Sequence, residues 1–264
     1  MKRLTILDLQ EKKNKKEKLV AVTAYDATFA SLVGEAVDVV LVGDSLGMVI
    51  QGQDTTLNVS LEDMIYHTKA VAQRLHHAHL VSDMPFLTYQ ISKEEALKNA
   101  GLLLKAGAQS VKVEGGIEMC ETVHHLTCLG IPVMGHVGLT PQSVHQLGGF
   151  RVQGKEEFQK DKLLRDAKQL EEAGAYAVVL ESIPQDLARQ ITQSLKIPTI
   201  GIGAGVGCDG QVLVIYDLLG MDPSFKPKFL RRYANLSQAI QSAIKTYAQE
   251  VREEKFPTEE HSFH

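Results

Sequence analysis

Cysteine is scarce: three in 264 residues, at 120, 128 and 208. That odd, small number builds no disulfide framework and points to a reducing compartment. A basic excess is missing too. Lys and Arg total 28 against 32 Asp and Glu, a net charge of −4, which excludes the electrostatic footprint of a nucleic-acid-binding domain. No apolar run approaches the length of a bilayer span. The opening MKRLTILDLQEKKNKKEKLV has charge but no apolar targeting stretch, and its lysines at 12–18 read as a solvated helix end. Low-complexity tracts and linkers are absent as well. What remains is the composition of an ordinary globular chain, 44% hydrophobic and 23% charged, expected in the cytoplasm.

What is present is a recurring unit: a short apolar run ending in polar or glycine residues, then an amphipathic stretch. The runs are 19–26, 37–45, 79–86, 109–116, 131–140, 175–182, 197–205 and 211–220. Helical candidates lie between them. SKEEALKNAGLLLKAGA opens with a Ser-x-x-Glu capping box at Ser92 and Glu95, and Gly107 and Gly174 follow two of the stretches as C-terminal caps. Strands alternating with helices call for a parallel sheet, and eight units at this length fit a closed (β/α)8 TIM barrel. The seventh link, VGCDG, is too short for a helix. The chain reads as a single domain, 1–264, in which 222–264 is a helical tail. Leu236, Ile240, Ile244, Tyr247 and Val251 stripe that tail at helical spacing, to pack on the barrel or on a neighbouring subunit.

Catalytic groups of such a barrel stand at the C-terminal ends of its strands. Asp44 ends the second run, Asp83 the third and Glu181 the sixth, while VKVEGG in the fourth carries Lys112 and Glu114. With a strand period of two, Lys112 and Glu114 face one side and Val111 and Val113 the other, so the charged pair is expected to face the axis. By the same alternation Val42 shares a side with Asp44, and Val179 with Glu181. Converging carboxylates repel unless a cation sits among them. Lys112 is one; an oxygen-rich cluster without cysteine also suits a hard ion, Mg2+ above all. An internal ion-pair network closing the mouth is the competing reading. Glu181, set apart by the fifth run, is placed as a proton acceptor. His136, ending that fifth run, could be a hydrogen-bond partner, a proton path or a structural residue.

Three other motifs carry less. GVGCDG at 205–210 matches the dinucleotide fingerprint G-x-G-x-x-G, but at the wrong strand and with no long helix after it. HHAH at 76–79 precedes the third run, away from the acids. His124 and His125 are adjacent on one helix and cannot share a face. Nothing near Cys208 marks it as an activated nucleophile.

The blocks AVTAYDATFA, VGDSLGMVIQGQDTT, SDMPF, VKVEGG, GHVGLTPQSVHQLGGFRVQG, VLESIP, IGIGAG and EEHSFH closely resemble the ketopantoate hydroxymethyltransferase family. They run in order from about residue 3 to the C-terminus. The resemblance implies transfer of a one-carbon unit from 5,10-methylenetetrahydrofolate to 3-methyl-2-oxobutanoate, giving 2-dehydropantoate on the route to pantothenate and coenzyme A. It implies one Mg2+ per subunit, held at Asp44 and Asp83 with Glu114 in the metal site. It further implies oxo-acid contacts from Asp44, Ser45, Asp83 and Lys112, a proton acceptor at Glu181, and a homodecamer built as a ring of five dimers. Folate contacts are expected from the loop after the seventh strand or from a neighbouring chain. The alternative is a folate-independent, Mg2+-dependent C–C lyase of the isocitrate lyase and phosphoenolpyruvate mutase type. It shares the enolate half of the chemistry.

Overall fold

All eight apolar runs become strands. The computed structural model describes residues 2–264. Its strands are β1 (Leu19–Thr23), β2 (Val39–Val42), β3 (His79–Asp83), β4 (Ser110–Glu114), β5 (Val133–Gly138), β6 (Ala177–Glu181), β7 (Thr199–Ile202) and β8 (Gly210–Leu213). Each pairs in parallel with the next and β8 returns to β1, closing the barrel. Residues 203–209, between β7 and β8, contain no helix, as that short link requires. The eighth run overshoots its strand, because Ile215–Leu218 is a short helix.

Local chemistry sets the helix ends. Ser92 accepts from the Glu95 backbone N–H at 3.1 Å, starting the helix Lys93–Lys105. Gly107 then adopts φ +115, and a Cβ there would stand 2.5 Å from that of Ala72. Ser60 and Asp63 form a full reciprocal box at the helix Leu61–Ala72, satisfying N–H groups that a helix start leaves unpaired.

The barrel interior is graded along its axis. The core cluster takes Leu19 and Ala21 from β1, Val39 and Leu41 from β2, Val81 from β3, Met134 from β5, Val179 from β6 and Val212 from β8. These alternate positions point inward, and on β3, β4 and β6 the same alternation brings Asp83, Lys112, Glu114 and Glu181 inward. At the N-terminal end the chain's own start acts as a plug. Leu9 is 1% exposed, Leu4 and Ile6 pack on the cluster, and Arg3 donates to the carbonyls of Leu75 and Gly107, each at 2.9 Å. His79 joins that plug to the barrel: Nδ1 lies 3.0 Å from Leu4 O and Nε2 2.9 Å from Ser110 Oγ, which meets Tyr176 OH at 2.8 Å.

By its contacts the chain divides into two units, one ending at Val214 and one running Ile215–His264. The division falls before residue 222, where the helical tail was expected to begin. Within the second unit, Tyr233 N–H donates to Leu218 O at 2.9 Å, and Arg232 donates to the carbonyls of Asp222 and Phe225. Its long helix, Leu236–Arg252, has no buried residue, and Ile240, Ile244, Tyr247 and Val251 are exposed. Among the described residues no helix is long and apolar enough to cross a membrane.

His79 generates a stability prediction. Burial lowers its pKa from 6.5 to about 4. Between those values the unfolded chain binds a proton that the folded chain refuses, so stability falls as pH drops from 7 towards 4. From pH 7 to pH 5 this group contributes a loss of about 2 kcal/mol. His79→Gln, compared with wild type by urea unfolding at both pH values, should lose less stability over that interval. Equal losses in the two proteins would remove His79 as the source.

Candidate active site

Each acidic side chain reaches the mouth by a different local device. Asp83 and Glu114 are the last residues of β3 and β4, Asp83 two residues after the inward-facing Val81 and Glu114 two after Lys112. Asp44 does not arrive by strand alternation. On β2 the inward residues are Val39 and Leu41, so the alternation expected from Val42 would turn Asp44 away from the axis. The strand stops at Val42, and the turn 43–45 redirects the chain. Gly43 makes that turn feasible beside the site: a Cβ there would stand 2.6 Å from Ser45 Oγ and 3.5 Å from Asp83 Oδ2.

The result is one connected cluster. Lys112 Nζ lies 3.0 Å from Asp83 Oδ1 and 4.0 Å from Glu114 Oε1, with all three side chains at most 5% exposed. Asp83 Oδ2 accepts from Asp44 N–H at 3.1 Å. His136 stands between two acids, Nδ1 3.4 Å from Glu114 Oε1 and Nε2 3.2 Å from Glu181 Oε2. Glu181 is the most open of the four, with its side chain 17% exposed. Ser45 Oγ meets Tyr25 OH at 2.8 Å. Every residue the sequence nominated is therefore at this mouth: Asp44, Ser45, Asp83, Lys112, Glu114 and Glu181, with His136 at its centre.

Gln142 is the residue that sequence reasoning missed. Its N–H donates to Glu114 Oε2 at 2.9 Å, and its side-chain nitrogen donates to Asp44 Oδ2 at 2.8 Å and to Met84 O at 2.9 Å. Tyr89 OH donates to its amide oxygen at 2.7 Å and accepts from Glu114 N–H at 3.0 Å. A 3-10 turn opened by Pro141 aims Gln142 inward. The one signal for it was a polar residue behind a proline in the loop after β5, which many surface turns share.

Electrostatics sharpen the picture. Burial, then the charges of Asp83 and Glu114, pushes Asp44 up to about 8. Burial also raises Asp83, against the opposing pull of Lys112. Burial would raise Glu114, but His136, Lys112 and the Gln142 N–H outweigh it and hold it low. Burial and Lys112 push His136 down, yet its two carboxylate partners win and raise it to about 9, so it is an imidazolium at neutral pH. Burial depresses Lys112, and the surrounding acids more than restore it. Four carboxylates against two cations leave an excess of two negative charges when all are ionised.

That excess, with the carboxylates of Asp44 and Asp83 at the ends of neighbouring strands and no cysteine among the donors, fits a divalent hard cation. The buried Asp83 Oδ1 accepts no hydrogen bond, its contact with Lys112 being an ion pair without hydrogen-bond geometry. Asp44 Oδ2, by contrast, is already bonded to Gln142. Among the described residues no three His, Cys, Asp or Glu side chains converge into a closed ligand set. The fit is thus to an ion held by few protein oxygens that completes its shell with water or substrate, the habit of Mg2+.

The other motifs resolve structurally. The GVGCDG stretch runs straight into β8 with no helix. Its Gly205 and Gly207 pack against Gln185 and Arg189. Cys208 is buried, and burial raises its pKa, the opposite of an activated thiol. His79 has both ring nitrogens engaged, one by Leu4 of the plug and one by Ser110 of β4. His124 lies 3.4 Å from the exposed Cys128 on its own helix.

A family model described as ketopantoate hydroxymethyltransferase matches residues 3–259. Proteins named 3-methyl-2-oxobutanoate hydroxymethyltransferase align over the whole chain. The one from Anaeromyxobacter sp. (strain Fw109-5) is 55% identical, covering 100% of this chain and 88% of its own. That from Carboxydothermus hydrogenoformans is 55% identical, covering 100% and 96%, and that from Pelobacter propionicus 52%, covering 99% and 98%. Among solved structures, a phosphonopyruvate hydrolase in complex with oxalate and Mg2+ superposes at TM-score 0.63 with 14% identity, covering 97% of this chain and 92% of that one. A 2,3-dimethylmalate lyase of the PEP mutase/isocitrate lyase superfamily superposes at 0.61 with 15% identity, over the same shares. At that identity the structural likeness speaks for the barrel fold alone.

The Lys112–Asp83 contact sets up a test of the cluster. Lys112→Met leaves buried carboxylates without their main counter-charge, which should cost about 3–5 kcal/mol. Adding Asp83→Asn removes one stranded charge and should recover part of that loss. Equilibrium unfolding in urea measures both variants. A Lys112→Met protein as stable as wild type would mean that the acids do not depend on Lys112.

Proposed function

The chain belongs to the ketopantoate hydroxymethyltransferase family, and from that premise we propose that it moves a one-carbon unit from 5,10-methylenetetrahydrofolate to C3 of 3-methyl-2-oxobutanoate, forming 2-dehydropantoate. The observation that carries the proposal is the junction Glu114–His136–Glu181. It sets an accessible carboxylate beside a buried acid–lysine cluster that is short of positive charge.

C3–H of a 2-oxo acid is a weak acid, and removing its proton places negative charge on the oxo oxygen. Asp44 and Asp83 would hold one Mg2+ per subunit. Both oxygens of Glu114 are already engaged, by Gln142 N–H on one side and by His136 and Lys112 on the other, which suits a place beside the cation rather than on it. Bound there, Mg2+ supplies Lewis-acid stabilisation of the developing enolate charge. Lys112 adds fixed positive potential in a low-dielectric pocket, where it acts strongly. Ser45 positions the substrate carboxylate through its hydroxyl, which Tyr25 orients, or its backbone N–H.

Glu181 takes the C3 proton. His136 pairs with it at 3.2 Å as an imidazolium and keeps the carboxylate in place until the oxo acid arrives. Both C–N bonds of the donor's methylene carbon break, one as the carbanionic C3 bonds to that carbon and the other as water supplies its hydroxyl, and the C3 proton and one water proton end on the two folate nitrogens. The oligomer implied by the resemblance, a decamer, and a cytoplasmic location go with the same reading. The folate-free lyase has no observation in its favour beyond the shared fold.

Proton exchange isolates the first half-reaction. With 3-methyl-2-oxobutanoate and Mg2+ in D2O and no folate, C3–H should exchange, as followed by NMR. Glu181→Gln should slow exchange by roughly 10²–10⁴-fold, and chelation should abolish it. Adding the folate donor should yield 2-dehydropantoate. Undiminished exchange in Glu181→Gln would remove Glu181 as the base, and exchange without any product would point to the lyase.

A further inference from the structure

The segment 148–155, between β5 and the helix Glu157–Glu172, is pinned beside the proposed base. Gln153 N–H donates to Ser182 O at 2.9 Å, and Ser182 directly follows Glu181. The next residue, Gly154, has φ +77 and sits where a Cβ would be 2.7 Å from Leu187 and 2.9 Å from Leu163. Only glycine fits there without displacing its neighbours. Before the pin, Gly148 and Gly149 are both left-handed, with φ +69 and +104, and the chain swings outward. Phe150 and Val152 are left 53% and 47% exposed.

A cleft of about 450 Å³ opens against this segment, lined by Leu147, Arg151, Val152, Lys155, Glu156 and Gln159. Its far wall is ordered, because the Gln159 side-chain oxygen accepts from the N–H groups of Lys155 and Glu156 at 3.2 and 3.4 Å. Among the described residues neither Arg151 nor Lys155 has a carboxylate within ion-pair distance, whereas Lys160, on the helix beyond, is paired with Glu157 at 2.8 Å. Two cations without an ion-pair partner share the lining with one acid, Glu156, and with the apolar Leu147 and Val152.

We propose that this cleft is the docking subsite for the tail of the one-carbon donor. Leu147 and Val152 take its flat aminobenzoyl ring, and Arg151 and Lys155 take its glutamyl carboxylates. The inference rests on the folate reading above and assigns that donor a place. The complementarity is specific in kind: an aromatic ring carrying carboxylates matches an apolar surface edged by unpaired cations, Arg being suited to bidentate carboxylate contact. The Gln153–Ser182 bond sets the cleft beside Glu181, where the methylene carbon must be delivered. The loop after β7, where the sequence placed folate contacts, offers the exposed Val206, but its neighbouring Arg189 is paired with Asp186 at 3.5 Å.

Steady-state kinetics with 5,10-methylenetetrahydrofolate carrying one or three glutamates test the assignment. Wild type should favour the triglutamyl donor. In Arg151→Ala/Lys155→Ala the KM for that donor should rise about tenfold, and the preference over the monoglutamyl form should vanish. Arg151→Lys/Lys155→Arg should retain much of it. An active double-alanine variant with the wild-type preference would overturn the proposal. So would a change in oligomeric mass by light scattering, which would make the cleft a contact between copies. If wild type turns over neither donor, the folate reading itself fails, and the D2O exchange of the oxo acid reports that failure separately.

Discussion

Two buried cations, Lys112 and the imidazolium of His136, face four carboxylates at one end of a closed parallel barrel. The rest of the molecule is organised around making that imbalance tolerable. Burial first, and then repulsion from Asp83 and Glu114 in that poorly solvating interior, drives Asp44 up to about 8. The protein could have removed the problem by deleting an acid. It keeps all four and surrounds them with directed donors: the Asp44 N–H for Asp83, and the Gln142 N–H and side-chain amide for Glu114 and Asp44. A site built this way is stable enough to fold, yet still short of positive charge. Under the proposed function, that deficit is where a cation and an anionic substrate would bind together.

The opposite end of the barrel has the complementary task. There the polar groups are fully partnered. His79 is held neutral between Leu4 and Ser110, and Arg3 ties the N-terminal segment to three carbonyls. Leu9 closes the interior beneath the core cluster. Between the two poles lie apolar inward side chains, so the charged cluster rests on a dry, close-packed floor. Such a floor excludes water and keeps the local dielectric low. It strengthens each interaction at the mouth, including the repulsion that Lys112 must offset.

Much of this was legible in the sequence, for a physical reason. Parallel strands covered on both faces are continuous apolar runs, and the period of two carries inward orientation along a strand, as for Lys112, Glu114 and Glu181. Where the chain left the strand, the period stopped informing. Asp44 belongs to the site, but through a turn that Gly43 makes possible and not through the alternation with Val42. Gln142, Tyr89 and Tyr25 come from loops and turns, whose geometry has no period to read. The family resemblance nominated the reacting residues, yet it was silent on these supports. The tail's apolar stripe was equally plain in the sequence, but periodicity says which side of a helix is apolar and nothing of what meets it.

Glu181 shows how supports of that kind shape reactivity. Its main chain is pinned on both sides, with Leu139 N–H bonded to its carbonyl at 2.9 Å and the following Ser182 N–H bonded to Ile202 O at 2.8 Å. Ser182 itself is held at φ +49, a conformation costing a residue with a Cβ about 1–2 kcal/mol. Opposite it, Gly138 adopts φ +98, and a Cβ there would lie 2.3 Å from Glu181 O. The backbone is therefore immobilised at the point where the side chain is most open to the mouth. The proposed role of proton acceptor calls for that combination, an open side chain on a held backbone. His136 completes the arrangement by linking the Glu181 carboxylate to Glu114, and through it to the charge-deficient cluster.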